Sequence, residues 1–261
     1  MSTVDAAYHV CADIARNHYE NFPVASVLVP RHMRRSLTAV YAFARKADDI
    51  ADEPWTDDSG ARLAALSELE NALTAPTSDP VMVALQDTIG KKRLPLAPFK
   101  RLLAAFRSDV EFRAPESWDD VLAYCALSAN PVGEIYLRLE YGPGEPPQAA
   151  IEASDALCTA LQVTNFLQDM GVDASRGRVY VPISETEALS KVAILFRRGS
   201  AVTRFARSFR TRLELRLIWL GGLIMLRLCA VRTNPHLRPS LSAKTLWRIF
   251  DPRVYTSLYE R

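Results

Sequence analysis

Apolar residues recur every three to four positions along most of this chain and seldom alternate with polar ones. That is the period of a helix face, not of a strand. Leu63, Leu66, Leu69, Ala72 and Leu73 mark an amphipathic helix over Arg62 to Leu73 that stops at Ala75-Pro76. Val81 to Ile89 and Leu96 to Val110 read likewise, with Gly90 and the Pro95/Pro98 pair between them. Pro30 suits the first turn of a helix that runs through Tyr41 and Phe43 and ends before Pro54. Ser117 is placed to cap a helix from Trp118 to about Tyr141, with Pro131 in its middle. Gly142 to Pro147 is the clearest linker, and a long helix follows over Ala149 to Asp173. With no hairpin signal and no repeat, the pattern predicts one all-α domain over residues 1–261.

Two acidic clusters interrupt the apolar faces. Asp48 and Asp52 are four apart, as are Asn165, Asp169 and Asp173. On a helix each set shares one face. Like charges so placed repel by about a few tenths of a kcal/mol per pair, and burying them unpaired costs roughly several kcal/mol. A divalent cation removes that penalty. Magnesium takes oxygen ligands, keeps several waters and binds through a few carboxylates together with phosphate oxygens. The two sets therefore predict a magnesium-diphosphate clamp holding two or three ions, with Asn165 as a neutral ligand. Arg45, three residues before Asp48, can grip phosphate oxygens bidentately, and Arg178 and Tyr180 can add donors. Each piece alone has a plainer reading, a solvated helix face or a surface ion pair. A cation formed by diphosphate loss would need an apolar, aromatic-lined pocket, for which Phe22, Tyr41, Phe43, Tyr124 and Phe166 are available, although each taken singly reads first as core packing.

Composition narrows this little. Nearly half the residues are apolar and the net charge is +2, which leaves no nucleic-acid footprint. Arginines outnumber acids between Arg197 and Arg261, which favours an anionic partner or a membrane surface. Cys11, Cys125, Cys158 and Cys229 form no CxxC pair and read as reduced core thiols. The N-terminus shows no secretory signal, so a cytoplasmic location is expected. The most apolar stretch, Leu217 to Leu226, is too short to span a bilayer and reads as a buried core helix. Peripheral contact with the inner membrane face stays open.

At the acidic clusters the chain resembles the squalene/phytoene synthase family. The first signature is Tyr41-Ala42-Phe43-Ala44-Arg45-Lys46-Ala47-Asp48-Asp49-Ile50-Ala51-Asp52-Glu53. The second is Asn165-Phe166-Leu167-Gln168-Asp169 with Asp173 and Gly177-Arg178-Val179-Tyr180-Val181-Pro182. Tyr124-Cys125 and Ser128 to Gly133 resemble the family's central helix. The resemblance covers roughly residues 10 to 185. It implies an all-α isoprenoid synthase fold with a central cavity, Tyr124 and Tyr180 as catalytic residues, and Tyr41, Arg45, Phe22, Gln162 and Arg178 as substrate-binding residues. It further implies Asp48, Asp52, Asn165, Asp169 and Asp173 as magnesium ligands.

Within the family, His18 to Ser26 and the forms of the other motifs are most similar to the bacterial branch that makes hydroxysqualene for hopanoids. That branch implies presqualene diphosphate as substrate, loss of diphosphate, capture of the rearranged cation by water, no nicotinamide, and functional partners in the hopanoid pathway. Glu20 stands where condensing relatives carry a basic residue that binds a prenyl diphosphate, and an anion there would oppose a second diphosphate. Between Pro182 and the arginine-rich stretch, Ile183 to Thr211 is shorter than in relatives, while Pro239-Ser240-Leu241 is similar to the family's RPxL ending. A synthase condensing two prenyl diphosphates, and a member that has lost activity, remain as alternatives.

Overall fold

The computed structural model describes residues 3–17, 28–53, 55–232, 234 and 238–240. Among these residues the secondary structure is helical and no strand is present. Contacts group the chain into two compact units, each assembled from separate stretches of sequence.

The first unit holds α1 (Thr3–Asn17), α2 (Arg31–Asp52), α3 (Ser59–Asn71), α4 (Pro80–Lys92), α5 (Ala97–Val110) and α7 (Asn130–Tyr141, from Pro131 on), with the stretch Arg207–Thr211. Helix α2 is its axis and packs on α1, α3, α4 and α5. Met33, Leu37, Val40, Phe43, Ala47 and Ala51 form its buried stripe, so its opposite face is left for polar groups. Phe43 meets Phe99 edge-on, with ring centroids 5.8 Å apart. It is therefore a core residue, not part of an aromatic pocket. The short helices are stopped and started by side chains. Asp58 caps α3 through the Gly60 amide, and Asp79 caps α4 through Val81 and Met82, with Pro80 in the first turn. Buried Glu140 on α7 accepts from the Arg207 and Ser208 amides at 2.8 and 3.3 Å, tying in the Arg207–Thr211 stretch.

The second unit holds α6 (Trp118–Ser128), α8 (Gln148–Ser175), α9 (Glu185–Gly199), a 3-10 turn over Ser200–Arg204, and α10 (Phe209–Val231, from Arg212 on). Its axis is α8, against which α6, α9 and the 3-10 turn pack. Two glycines permit close approach. A Cβ at Gly199 would lie 2.7 Å from the Leu157 amide nitrogen, and one at Gly222 would lie 2.6 Å from Leu161 and 2.7 Å from Phe196. The Trp219 indole donates to the Phe196 carbonyl at 2.8 Å, joining α10 to α9.

Two of the expected helices change. The helix from Trp118 to Tyr141 is two helices, because α6 ends with the Ala129 amide on the Cys125 carbonyl and α7 starts afresh at Asn130. Pro131 has no N–H to continue the ladder but fits a first turn. Leu217 to Leu226 is buried only in its second half: Gly222 through Leu226 are inside, whereas Leu217 is 40% exposed. Of the adjacent glycines on α10, Gly222 alone is needed for close packing, since nothing lies within 4 Å of a Cβ at Gly221. The cysteines are free thiols; Cys11, Cys125 and Cys229 are buried and Cys158 half-buried. Burial pushes the Cys125 thiol up to about 12, with Cys158 adding to the shift. Among the described residues no helix is long and apolar enough to cross a membrane.

Candidate functional site

Tyr41, Arg45, Asp48 and Asp52 follow one another at helical spacing along the polar face of α2. Arg45 is half-buried, and its guanidinium meets Asp48 at 3.1 Å, Asp49 at 2.6 Å and Glu53 at 3.4 Å. Its charge is thus already shared among two carboxylates of its own helix and one at that helix's C-cap, and gripping phosphate requires releasing some of them. Burial raises the Asp48 carboxyl above the ordinary value. Arg45 opposes the rise, and Asp52, Asp49 and Glu53 add to it. Burial also raises the Tyr41 hydroxyl, again against Arg45 and with Asp48 and Asp49.

Gln162, Asn165, Asp169 and Asp173 form the corresponding stripe on α8. Asn165 is exposed and the other three are half-buried. Asp169 is bracketed by Arg238, whose Nε pairs with Oδ1 and whose second nitrogen lies 3.3 Å from Oδ2. Gln168 donates to the Pro239 carbonyl at 2.7 Å, so the short Arg238–Ser240 segment lies along this part of α8. Burial raises the Asp173 carboxyl, Asp169 adds to that, and Arg176 and Arg178 oppose it.

Beside this stripe three aromatic rings converge. Phe166 stacks on Tyr180 with centroids 4.4 Å apart and planes 5° from parallel. Tyr124, from α6, tilts onto both at 5.9 and 6.2 Å. Arg178 reaches the Tyr180 hydroxyl at 3.5 Å. The turn that sends the chain back depends on Gly177 at φ +71°, a left-handed conformation that glycine adopts freely. The Arg176, Gly177 and Arg178 amides close the end of α8 on the Asp173 and Ala174 carbonyls. Phe166, Arg178 and Tyr180 are thereby one cluster with Tyr124, which comes from a separate helix more distant in sequence.

The donor set suits magnesium. Asp48 on α2 and Asp173 on α8 are half-buried carboxylates held above their ordinary pKa by burial and by neighbouring carboxylates, which is the repulsion a cation offsets. Among the described residues no three His, Cys, Asp or Glu side chains gather closely enough to form a ready-made metal cage. Magnesium commonly completes its octahedron with water and substrate phosphate, so such a cage is not required.

Phe22 and Glu20 lie outside the described residues. Sequence reasoning did not name Arg238 as a partner of Asp169, or Arg232. Arg238 immediately precedes the Pro-Ser-Leu ending already singled out, and that adjacency was the available signal. Nothing in the local sequence marks Arg232.

The family model for squalene/phytoene synthase matches residues 15–215. The chain is 39% identical over 178 residues to a hydroxysqualene synthase of Zymomonas mobilis, covering 67% of this chain and 58% of that one. It is 36% identical over 231 residues to a hydroxysqualene synthase of Sinorhizobium fredii, covering 78% and 77%. A phytoene synthase of Mycobacterium tuberculosis is 31% identical over 191 residues, covering 72% and 62%. The chain thus spans less than two thirds of the length of the first and third of these relatives. Among solved structures, squalene synthase HpnC from Alicyclobacillus acidocaldarius superimposes with a TM-score of 0.79 at 33% identity, covering 90% of this chain and 97% of that one. A dehydrosqualene synthase has the same fold at 23% identity, with a TM-score of 0.79 over 99% and 98% of the two chains. By the family match and by these identities, the chain belongs to the squalene/phytoene synthase family.

Proposed function

We propose that this chain is a magnesium-dependent hydroxysqualene synthase that ionises presqualene diphosphate and delivers water to the rearranged cation. The observation that carries the reading is the aromatic cluster of Tyr124, Phe166 and Tyr180 beside the Asn165/Asp169/Asp173 stripe. Ring faces stabilise positive charge, and carboxylates beside them can hold a cation-bound diphosphate. The two chemical demands of the reaction, anion departure and cation survival, meet on neighbouring turns of α8.

In the proposed reaction the C–O bond to diphosphate breaks and its electron pair leaves with the phosphate oxygen. The cyclopropylcarbinyl cation rearranges, a water oxygen bonds to carbon, and the proton lost from that water completes the balance as hydroxysqualene, diphosphate and H⁺. Magnesium, when bound, neutralises the departing diphosphate. Asp48, Asp52, Asn165, Asp169 and Asp173 are the proposed ligands. Arg45 and Arg178 are assigned to phosphate oxygens, Tyr41, Gln162 and Phe22 to substrate binding, and Tyr124 and Tyr180 to the cation. No nicotinamide enters, since water and not hydride ends the reaction. We further propose a cytoplasmic protein, working with other hopanoid-pathway enzymes and contacting the inner membrane face.

The 31% identity to a phytoene synthase favours a second reading, condensation of two prenyl diphosphates. Purified protein with magnesium and either presqualene diphosphate or farnesyl diphosphate separates the two. Hydroxysqualene from presqualene diphosphate supports the proposal. A condensed product from farnesyl diphosphate alone replaces it with the second reading. Turnover of neither substrate by folded protein would identify an inactive member.

A further inference from the structure

Arg232 follows the last residue of α10, and its side chain is only 7% exposed. One terminal nitrogen donates to the Leu167 carbonyl at 2.7 Å, and the other meets Glu185 Oε1 at 2.7 Å and Met170 Sδ at 3.9 Å. Its buried Nε has no partner among the described residues. Leu167 stands two residues before Asp169 on α8, and Glu185 is the first residue of α9. The chain between these anchors carries Asp169, Asp173, Arg178 and Tyr180.

We infer that Arg232 is a positioning residue that clasps the body of α8 to the first residue of α9, bracing the α8–α9 connection so that Tyr180 stays stacked on Phe166. A forked guanidinium can address two acceptors in different directions at once, which an ammonium does less well. Burying a guanidinium is costly unless it is paired and hydrogen-bonded, so its place here depends on both contacts. Glu185 also lies near the positive end of its own helix, where a carboxylate is favoured. The clasp thus combines a helix-terminal acid, a main-chain carbonyl and a buried base. It touches neither the rings nor the acidic stripe's carboxylates.

Hydrogen–deuterium exchange on the full chain tests this, comparing wild type with Arg232→Met, Glu185→Gln and the double variant. Each single variant should raise exchange about threefold or more in peptides spanning 170–184, while peptides from α1 to α5 exchange as before. The double variant should add little to either single one, because both break the same contact. Glu185→Gln decides the matter if Arg232→Met raises exchange everywhere by unfolding. Unchanged exchange in 170–184, or fully additive effects, would overturn the clasp. An activity arm rests on the proposed function: Glu185→Gln should lower kcat about tenfold with little change in KM, because Tyr180 is misplaced for the cation. An unchanged kcat overturns the positioning role. Inactive wild-type protein counts against the proposed function alone, since the exchange pattern still decides the clasp.

Discussion

Two adjacent glycines on α10 should respond to the same substitution with opposite signs. Gly221 has nothing within 4 Å of where a Cβ would stand. Gly221→Ala therefore gains the helix-interior preference for alanine, about 0.5–1 kcal/mol. At Gly222 the new carbon would lie 2.6 Å from Leu161 Cδ2 and 2.7 Å from two ring carbons of Phe196. Ordinary carbon contacts are about 3.5–4.0 Å, so something must move by roughly an ångström. Phe196 is fully buried and held between α8 and α10, so it has no free space to turn into. Overpacking of this kind costs about 1–3 kcal/mol, from which the same helix gain is subtracted. The expected net loss is about 1–2 kcal/mol. At about 2–4 °C per kcal/mol for a chain of this size, thermal unfolding followed by circular dichroism should show Tm falling by roughly 2–8 °C for Gly222→Ala and rising by roughly 1–4 °C for Gly221→Ala. Adding Leu161→Val to Gly222→Ala removes one of the clashing atoms and should cost less than the two single changes summed. Equal signs at the two positions, or strict additivity with Leu161→Val, would refute the packing of α10 on α8 and α9.

Asp48→Ala and Asp169→Ala should each abolish turnover of presqualene diphosphate while the far-ultraviolet helical signal stays unchanged; a near-normal rate in either variant removes that residue from the metal set. Tyr180→Leu keeps an apolar side chain but loses the ring stacked at 4.4 Å on Phe166, so kcat should fall by about tenfold or more in a steady-state assay, and Tyr180→Phe should retain most of it. Thr159→Val removes the hydroxyl that donates to buried Asn130 at 3.0 Å and should destabilise the protein by about 1–3 kcal/mol, read as a shift in the urea midpoint. For Asp79, burial alone would raise the carboxyl, but the hydrogen bond and charge of Lys46 and the amides of Met82 and Val81 hold it below the ordinary value. A depressed folded pKa stabilises above the unfolded pKa and loses that contribution as pH falls through the folded one. The Tm gap between wild type and Asp79→Asn should therefore be widest near neutral pH and narrow below about pH 4.

Helix existence and the two acidic stripes were legible in the sequence because both depend on spacing within one helix. Tyr41, Arg45, Asp48 and Asp52 share a face whenever α2 is helical, and so do Gln162, Asn165, Asp169 and Asp173 on α8. The break at Ala129 was less legible. The local pattern of apolar residues continues through Pro131, and only the missing N–H decides that α6 stops. Phe43 and Phe166 show the limit of residue type as a guide. Both are aromatic and stand inside family motifs, yet one is buried edge-on against Phe99 and the other stacks on Tyr180. Their surroundings come from α5 in one case and from the returning loop in the other, which neighbouring sequence does not contain.

The two stripes also solve their charge problem differently, and that difference has chemical weight. On α2 the counter-charge is local: Arg45 sits three, four and eight residues before the carboxylates it pairs, so folding the helix is enough to assemble the network. On α8 the counter-charge to Asp169 arrives from Arg238, 69 residues later in the chain. Arg45 is held on three sides, so a ligand that pulls one carboxylate away leaves it two others. Among the described residues Asp169 is held by one exposed arginine, 57% accessible, whose pairing in water contributes little. In the proposed clamp, a cation bound at Asp169 would displace a weak partner and leave a guanidinium beside the stripe for phosphate charge. Along α8, then, the bases near the proposed metal ligands are supplied by the returning loop and by the Arg238–Ser240 segment. Changes in those distant stretches should alter diphosphate handling as strongly as changes in the motif itself.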